Sequence, residues 1–173
     1  MTGPGKPPHI LMVCLGNICR SPTAEVALRE AALRRGYALT VSSAGTGDWH
    51  EGHGADERMR AAAAEHGLNL DGHIARQVDA AMLRDADLVL AMDRTNYNEL
   101  SRIAHERHIT TPIRLLRDFD PKLRDGRDVP DPYYGSGDGF TTVAGLCMRT
   151  AEHLLDVLSD LLVARDRQLE ETE

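Results

Sequence analysis

The sequence predicts an α/β fold in which a doubly wound sheet of four parallel strands carries helices on both faces. Short apolar runs alternate along the chain with longer segments of helical periodicity, which is the pattern of βαβ units. Glycine follows directly after two of the helical segments, where helices commonly end. The 173 residues show no composition shift or linker, so we expect one domain with a substantial core.

Each predicted element rests on its own signal. The strands are the short apolar runs at residues 9–13, 38–42, 87–92 and 113–116. Gly36 and Gly67 end the first two predicted helices, and Asp79 and Asp93 are the caps of the next two. Leucines at helical spacing predict the last helix. The predicted helices cover residues 22–35, 55–66, 80–84, 94–105 and 141–165.

Residues 117–139 fit neither pattern, because prolines, glycines and six aspartates interrupt them. A loop of this length in a compact domain is usually functional or mobile. Residues 1–8 are expected to form a disordered extension, and residues 166–173 a flexible acidic tail. The predicted domain therefore spans residues 9–165.

Charge and cysteine content limit the class of protein. The net charge is −7 and the isoelectric point is near 5.6, so no basic field exists to attract nucleic acid or an anionic membrane. Three cysteines, two of them in one loop, do not form a disulfide framework of the secreted kind. The sequence has neither the apolar core of a signal peptide nor a membrane-spanning run. We expect a cytoplasmic protein without nucleic-acid or membrane partners.

The most informative segment is Cys-Leu-Gly-Asn-Ile-Cys-Arg-Ser-Pro, which follows the first predicted strand and enters the first predicted helix. So short a loop turns its backbone N–H groups inward, and the helix N-terminus adds positive potential at the same point. Gly16 and Asn17 are expected to supply the positive φ angles that close it. Ser21 is a good N-cap, and Pro22 suits the first helical turn. The predicted anion cradle comprises Leu15, Gly16, Asn17, Ile18, Cys19 and Arg20.

Two side chains in this segment carry chemistry. A helix N-terminus beside an arginine favours the thiolate form of a cysteine, so Cys14 is a candidate nucleophile. Arg20 offers a planar fork to two phosphoryl oxygens, which a lysine cannot do. Transfer of a phosphoryl group to a thiolate also needs a proton for the leaving oxygen. Asp131, before Pro132 in the long loop, is the candidate acid, although an aspartate at this position can equally initiate a turn.

Together these residues resemble those of the low-molecular-weight protein tyrosine phosphatases. The matching segments are residues 13–21, 42–46, 75–77, 92–93 and 131–134, and the similarity runs from about His9 to the C-terminal helix. The resemblance implies a flavodoxin-like fold and hydrolysis of phosphotyrosine through a phosphocysteine on Cys14. It also implies tyrosine-phosphorylated proteins as partners, inorganic phosphate as product, and neither cofactor nor metal.

The resemblance further implies a role for each matching side chain. Arg20 would bind the phosphate and Asp131 would act as general acid and base. Ser21 would support the thiolate as leaving group, and Asn17 and Ser43 would brace the loop by hydrogen bonds.

A crevice wall of Trp49, Tyr133 and Tyr134 is also implied by the resemblance, deep enough for a phosphotyrosine ring. Trp49 could instead be buried in the core, since large aromatic side chains usually are. Cys19 would form a reversible disulfide with Cys14 under oxidation, or simply fill space behind the loop. Cys147, on the apolar last helix, is expected to serve packing.

Three other functions are compatible with parts of the sequence. A thioredoxin-coupled arsenate reductase shares the cysteine-arginine loop, but it must pass a disulfide to further cysteines, and only Cys19 and Cys147 remain. A non-catalytic phosphopeptide-binding module would not require a thiol together with a loop acid. His105 and His108 could begin a metal site, but no third ligand is spaced nearby.

Overall fold

The computed structural model describes residues 5–123, 126–135 and 138–171, and it confirms the predicted fold class. Four parallel strands form one sheet in the order β2-β1-β3-β4. The strands are β1 (His9–Cys14), β2 (Thr40–Gly45), β3 (Leu88–Ala91) and β4 (Ile113–Leu115). The helices are α1 (Arg20–Arg34), α2 (Glu57–Glu65), α3 (Ala80–Asp85), α4 (Arg94–Glu106) and α5 (Asp138–Glu171). A 3-10 turn, Leu116–Phe119, follows β4.

Strand β1 is buried on both sides, which explains its unbroken apolar sequence. Ile10 and Met12 join a core that includes residues of α1, α2 and α5. Leu11 and Val13 join a second core with residues of α3 and α4. The helices therefore cover both faces of the sheet, as the sequence predicts.

The order of the strands places a crevice at the end of β1. The chain passes from β1 to β2 on one side and later to β3 on the other side. Doubly wound folds bind ligands beyond the carboxyl ends of the strands at such a switch point. Cys14 is the last residue of β1, so the chemical motif and the topology coincide.

The second strand is displaced from its predicted position. The sequence predicts residues 38–42, whereas β2 covers Thr40–Gly45. The last part of β2 carries small residues, which give no strand signal in a hydropathy pattern. These small residues belong to a strand because of a tertiary contact: Ala44 and Gly45 pair with Val13 and Cys14 of the central strand.

The ends of the last helix also differ from the sequence prediction. Helix α5 covers Asp138–Glu171, whereas the periodicity predicts residues 141–165. The boundary of the acidic tail stays a prediction, and residues 172–173 lie outside the described part. So do residues 1–4 of the predicted N-terminal extension. In the part of the chain that the structure describes, no helix has the length and apolar character needed to span a membrane.

A buried ion pair joins the start of the long loop to α5. The two carboxylate oxygens of Asp120 accept hydrogen bonds from Nε and Nη2 of Arg149, both at 2.9 Å. The Asp120 side chain has no exposed surface, and its Oδ1 also accepts from the backbone N–H of Lys122. Burial opposes ionisation of Asp120, but these hydrogen bonds outweigh it and lower the pKa of the carboxyl.

We expect Arg149→Met to destabilise the protein by about 2 kcal/mol at neutral pH, because it removes two charge-assisted hydrogen bonds from a buried carboxylate and leaves it with Arg117, whose Nε lies 3.4 Å away, as its charged partner. A carboxyl whose pKa is lowered by folding stabilises the fold above its unfolded pKa and ceases to do so as the pH falls through the folded value. The loss should therefore shrink towards about pH 4 and below. Urea unfolding of both proteins across this range measures it.

The matched control is Arg34→Met, because Arg34 joins α1 to α5 through an exposed pair with Glu152. Exposed pairs contribute little, so this variant should unfold close to the wild type. A loss in Arg149→Met that is no larger than the control, or that does not depend on pH, would contradict the assignment.

Candidate active site

The loop between β1 and α1 closes through one left-handed residue. Asn17 has φ of 57°, as predicted, whereas the prediction of a positive φ at Gly16 is wrong. Glycine at position 16 leaves room for the His50 ring, because a Cβ there would lie 3.0 Å from its Cδ2, which is closer than usual contact distance. Position 45 also requires glycine, since a Cβ there would lie 2.6 Å from the carbonyl oxygen of Leu15. The shape of the loop thus depends on its neighbours as well as on its own residues.

The Cys14 thiol is buried at the base of this loop. Its Sγ accepts a hydrogen bond from the backbone N–H of Asn17 at 3.2 Å. It also lies 3.0 Å from the Ser21 hydroxyl. The prediction that Ser21 caps α1 is wrong, because the helix begins at Arg20 with Cys19 as the N-cap residue. The Ser21 side chain instead contacts Cys14 and Asn17.

A chain of hydrogen bonds with a fixed polarity reaches Cys14. A carboxylate only accepts hydrogen bonds, so the Ser43 hydroxyl must donate to Glu25, 2.7 Å away. Ser43 therefore accepts from the Asn17 amide at 3.0 Å. The same amide donates to the Ser21 hydroxyl at 2.8 Å. The Ser21 oxygen thus accepts from the amide, and its proton is available to the sulfur at 3.0 Å, which is closer than the Ala44 carbonyl at 3.5 Å.

Asn17 is also held from outside the loop. Its side-chain oxygen accepts from the backbone N–H of Arg76 at 3.0 Å. Its backbone carbonyl lies 2.6 Å from Nε2 of His73. All the polar groups of the Asn17 side chain are thus engaged, which fixes the left-handed backbone at this position.

Arg20 is almost completely buried, with 3 % of its surface exposed. Its Nη1 donates to Oδ2 of Asp93 at 2.7 Å and to the Val129 carbonyl at 3.1 Å. Its Nη2 lies 3.6 Å from Oδ2 of Asp131. Burial opposes the charge of Arg20, but electrostatic interaction with Cys14, the hydrogen bond to Asp93 and the carboxylates of Asp93 and Asp131 outweigh it and raise the pKa of the guanidinium.

The sequence predicts Asp93 as a helix cap and places it in a segment that matches the family, but assigns it no role in the site. Its Oδ1 accepts from the backbone N–H of Asn96 at 2.8 Å and so caps α4. Its Oδ2 binds Arg20. The signal was present in the predicted topology, because Asp93 follows β3 and the carboxyl ends of neighbouring parallel strands meet at one edge of the sheet.

Asp131 lies opposite Cys14 and uses its two oxygens differently. Oδ1 accepts from the backbone N–H of Tyr133 at 3.1 Å, which is the turn interaction expected before proline. Oδ2 is the oxygen near Arg20. The side chain is about one-third exposed, at 36 %. The sequence left a turn residue and a general acid as alternatives for Asp131; the turn is present, and the role as acid stays a prediction.

These side chains surround a cavity of about 350 Å³. It is lined by Cys14, Leu15, Gly16, Ile18, Cys19, Arg20, Trp49, His50, Asp131, Tyr133 and Tyr134. Trp49 is not in the core, because 66 % of its surface is exposed at the mouth of the cavity. The Tyr133 and Tyr134 rings meet edge to face at 4.9 Å between centroids. His50, which the sequence reasoning did not include, packs against the loop and 6.0 Å from the Tyr133 ring.

The remaining cysteines lie in different surroundings. Burial, reinforced by Asp56 and Cys14, raises the pKa of the Cys19 thiol. Cys19 lines the cavity, and its pairing with Cys14 under oxidation stays a prediction. Burial in the core below the loop raises the pKa of the Cys147 thiol to about 12. Within the described residues, no group of three or more His, Cys, Asp or Glu side chains is arranged to hold a metal ion.

Comparison with known proteins identifies the family. The family model of the low molecular weight phosphotyrosine protein phosphatases matches residues 9–167. The chain belongs to this family. A low molecular weight protein-tyrosine-phosphatase of Streptomyces coelicolor is 47 % identical over 137 residues, which cover 76 % of this chain and 82 % of the relative. Membership of this family confirms the predicted resemblance and identifies the chain as a phosphatase.

Solved structures of the family have the same fold. A protein tyrosine phosphatase from Entamoeba histolytica matches with a TM-score of 0.82 and 35 % identity, over 88 % of this chain and 97 % of that one. The Drosophila arginine phosphatase matches with a TM-score of 0.79 and 30 % identity, over 85 % of this chain and 95 % of that one. These two proteins are named for different substrates, so fold and family alone do not decide what this cavity accepts.

We expect Asp93→Asn to lower kcat/KM for p-nitrophenyl phosphate by about 10- to 100-fold, because the Arg20 guanidinium loses the charge that orients it. Asparagine caps helices as well as aspartate does, so the cap on α4 is kept, but the buried Arg20 loses a charged partner, and the free energy of unfolding should fall by about 1–3 kcal/mol. Steady-state kinetics and urea unfolding measure the two effects.

The control is Asp79→Asn, because Asp79 caps α3 in the same way through the backbone N–H of Met82. It should leave both quantities unchanged. An equal loss of activity in the two variants would deny Asp93 a role beyond capping.

Proposed function

We propose that the protein hydrolyses phosphotyrosine in proteins through a phosphocysteine intermediate on Cys14. The observation that carries the proposal is the convergence of a buried thiol, a buried guanidinium and a carboxylate on one cavity. These three groups supply the nucleophile, the complement for phosphate charge and the proton that phosphoryl transfer requires.

The phosphate would bind in the loop of residues 15–20, against inward backbone N–H groups at the start of α1. The Arg20 guanidinium would add further N–H donors to the phosphate. Because Nη1 is held by Asp93 and Val129, we assign the phosphate to the edge formed by Nε and Nη2. Two oxygens of the phosphate would then accept parallel hydrogen bonds from a group that is already oriented.

In the first step, the Cys14 sulfur attacks phosphorus in line with the phenolic oxygen. The S–P bond forms, the bond from phosphorus to the phenolic oxygen breaks, and Asp131 gives its proton to the leaving oxygen. The turn assigns that proton to one oxygen. Oδ1 is occupied by the Tyr133 N–H, so the proton is carried on Oδ2, on the side of Arg20.

In the second step, the Asp131 carboxylate takes a proton from water as the water oxygen attacks phosphorus. The S–P bond breaks and inorganic phosphate forms. The departing sulfur regains its negative charge, and the Ser21 hydroxyl is positioned to donate to it. Asn17, Ser43 and Glu25 keep that hydroxyl pointing towards the sulfur.

The walls of the cavity favour an aryl phosphate. Leu15, Ile18 and three aromatic rings present apolar surface to the group that carries the phosphate. Asp131 is the one carboxylate among the described residues that line the cavity, and the mechanism requires it protonated when substrate binds. A charged guanidinium, as in phosphoarginine, would thus lack an ionised partner in these walls.

Two substrates with different leaving groups test the role of Asp131 as general acid. We expect Asp131→Asn to keep the turn, since asparagine also accepts from the Tyr133 N–H, and to lower kcat for a phosphotyrosine peptide by ~10²–10⁴-fold. The loss should be smaller for p-nitrophenyl phosphate, whose phenolate leaves without a proton, and the alkaline limb of the pH profile should flatten.

Cys14→Ser is the companion variant and should have no measurable turnover of either substrate in the presence of EDTA. Substantial turnover by Cys14→Ser would contradict the phosphocysteine. Equal losses for the two substrates in Asp131→Asn, with an unchanged pH profile, would direct the search for the acid to Asp128.

Substrate preference tests the cavity walls. With matched peptides we expect kcat/KM for phosphotyrosine to exceed that for phosphoserine by at least about 100-fold, because the shorter side chain cannot bring its phosphate to a thiol at the base of the crevice. Phosphoarginine should rank well below phosphotyrosine. Comparable rates for phosphoserine would exclude a deep slot, and a preference for phosphoarginine would replace the proposed substrate class.

A further inference from the structure

We infer that Arg58 is the positioning residue for the general acid: it fastens the segment that carries Asp131 to the phosphate loop without contacting the substrate. The inference rests on the proposed function of Asp131. Arg58 lies in the first turn of α2, a helix that contributes no residue to the wall of the cavity.

The Arg58 guanidinium lies between a carboxylate and two aromatic rings. It donates to Asp56 through Nη2 at 2.9 Å and through Nε at 3.2 Å. Its central carbon lies 5.3 Å from the centroid of the Tyr133 ring and 4.7 Å from that of Phe140. Its Nη1 reaches the backbone carbonyl of Tyr133 at 3.4 Å. One side chain therefore contacts both the ring and the backbone of Tyr133.

The Asp56 end of this contact is fixed to the phosphate loop. The backbone N–H of Asp56 donates to the Ile18 carbonyl at 2.9 Å. The Asp56 carboxylate also caps α2 by accepting from the backbone N–H groups of Arg58 and Met59. Burial opposes its ionisation, but the hydrogen bonds from Arg58 outweigh burial and lower the pKa of the Asp56 carboxyl. The position of Asp56 is therefore set by α2 and by the phosphate loop together.

The Tyr133 end is fixed to the acid. The Tyr133 N–H donates to Oδ1 of Asp131, so any shift of Tyr133 moves the carboxylate that faces Arg20. Apart from the buried Pro132, the segment is open to solvent, because Asp131, Tyr134 and Gly135 are exposed. Phe140, in contrast, is buried in the core at the start of α5. Arg58 thus joins a solvent-exposed segment to two firm points.

The chemistry of the contact requires arginine. A planar guanidinium can lie over aromatic rings while its edge donates twice to a carboxylate. A lysine ammonium keeps the charge, but it is not planar and cannot donate two parallel hydrogen bonds to a carboxylate. Asp56 also raises the pKa of Arg58, so the contact persists at every pH at which the enzyme would act.

A double-mutant cycle with Asp131 tests the inference. We expect Arg58→Met to lower kcat for a phosphotyrosine peptide by roughly 10- to 100-fold and for p-nitrophenyl phosphate by less, because only the poor leaving group depends on the acid. The inhibition constant for inorganic phosphate should stay within about 2-fold. In the Asp131→Asn background, Arg58→Met should cause no further loss, because the group it positions is already inactive. Arg58→Lys should recover only part of kcat.

Arg60→Met is the matched control, because Arg60 lies on the same helix and pairs with Asp71 at the surface. It should leave kcat, KM and the cycle unchanged. An undiminished effect of Arg58→Met in the Asp131→Asn background, or no effect in the wild type, would overturn the inference. If Arg58→Met fails to fold, Arg58→Lys completes the same cycle.

Hydrogen exchange separates this inference from the proposed function. Exchange of the backbone N–H groups of residues 131–135 should be faster in Arg58→Met than in Arg60→Met, whether or not the protein turns over phosphotyrosine. If Asp131→Asn alone leaves kcat unchanged, the proposed acid is wrong, and the exchange result still decides whether Arg58 holds the segment. Equal exchange in the two variants would overturn the inference.

Discussion

The buried positive charge of Arg20 organises the whole site. A guanidinium removed from water costs free energy unless acceptors surround it, and these come from separate parts of the chain. Asp93 arrives from the end of β3, Val129 and Asp131 arrive from the long loop, and Cys14 lies at the end of β1. One buried charge therefore brings together three segments that are far apart in sequence. In the proposed mechanism, the phosphate would bind at the edge of Arg20 that Asp93 and Val129 do not occupy.

The sequence predicted those features that depend on local pattern. Strand β1, its following loop and the order of the elements came from the apolar run and the glycine and aspartate signals around it. The pairing of Cys14 with Arg20 came from their spacing within one loop. The catalytic roles of these residues and of Asp131 stay proposals, although the structure brings all three to one cavity.

The sequence could not predict features that depend on contacts between distant segments. The local pattern predicts Ser21 as a helix cap, and only the resemblance to the family implied a place beside Cys14, where its hydroxyl contacts Cys14 and Asn17. Asp93 looks only like a cap, because its second contact lies 73 residues away. Arg58 looks like a solvated charge on a helix until Tyr133 and Phe140 pack against it. Each of these residues has a second partner that no local pattern encodes.

The close approach between β2 and the phosphate loop has a consequence for protein design. Gly45 leaves space for the Leu15 carbonyl, and its own carbonyl and N–H pair with Val78 and Arg76 rather than with the loop. Part of the information that shapes the loop is thus stored in a strand that supplies no reacting group. Grafting residues 14–21 onto another parallel sheet would transfer the nucleophile and the guanidinium without the surface that moulds them. A functional graft would also need a neighbouring strand that ends in glycine.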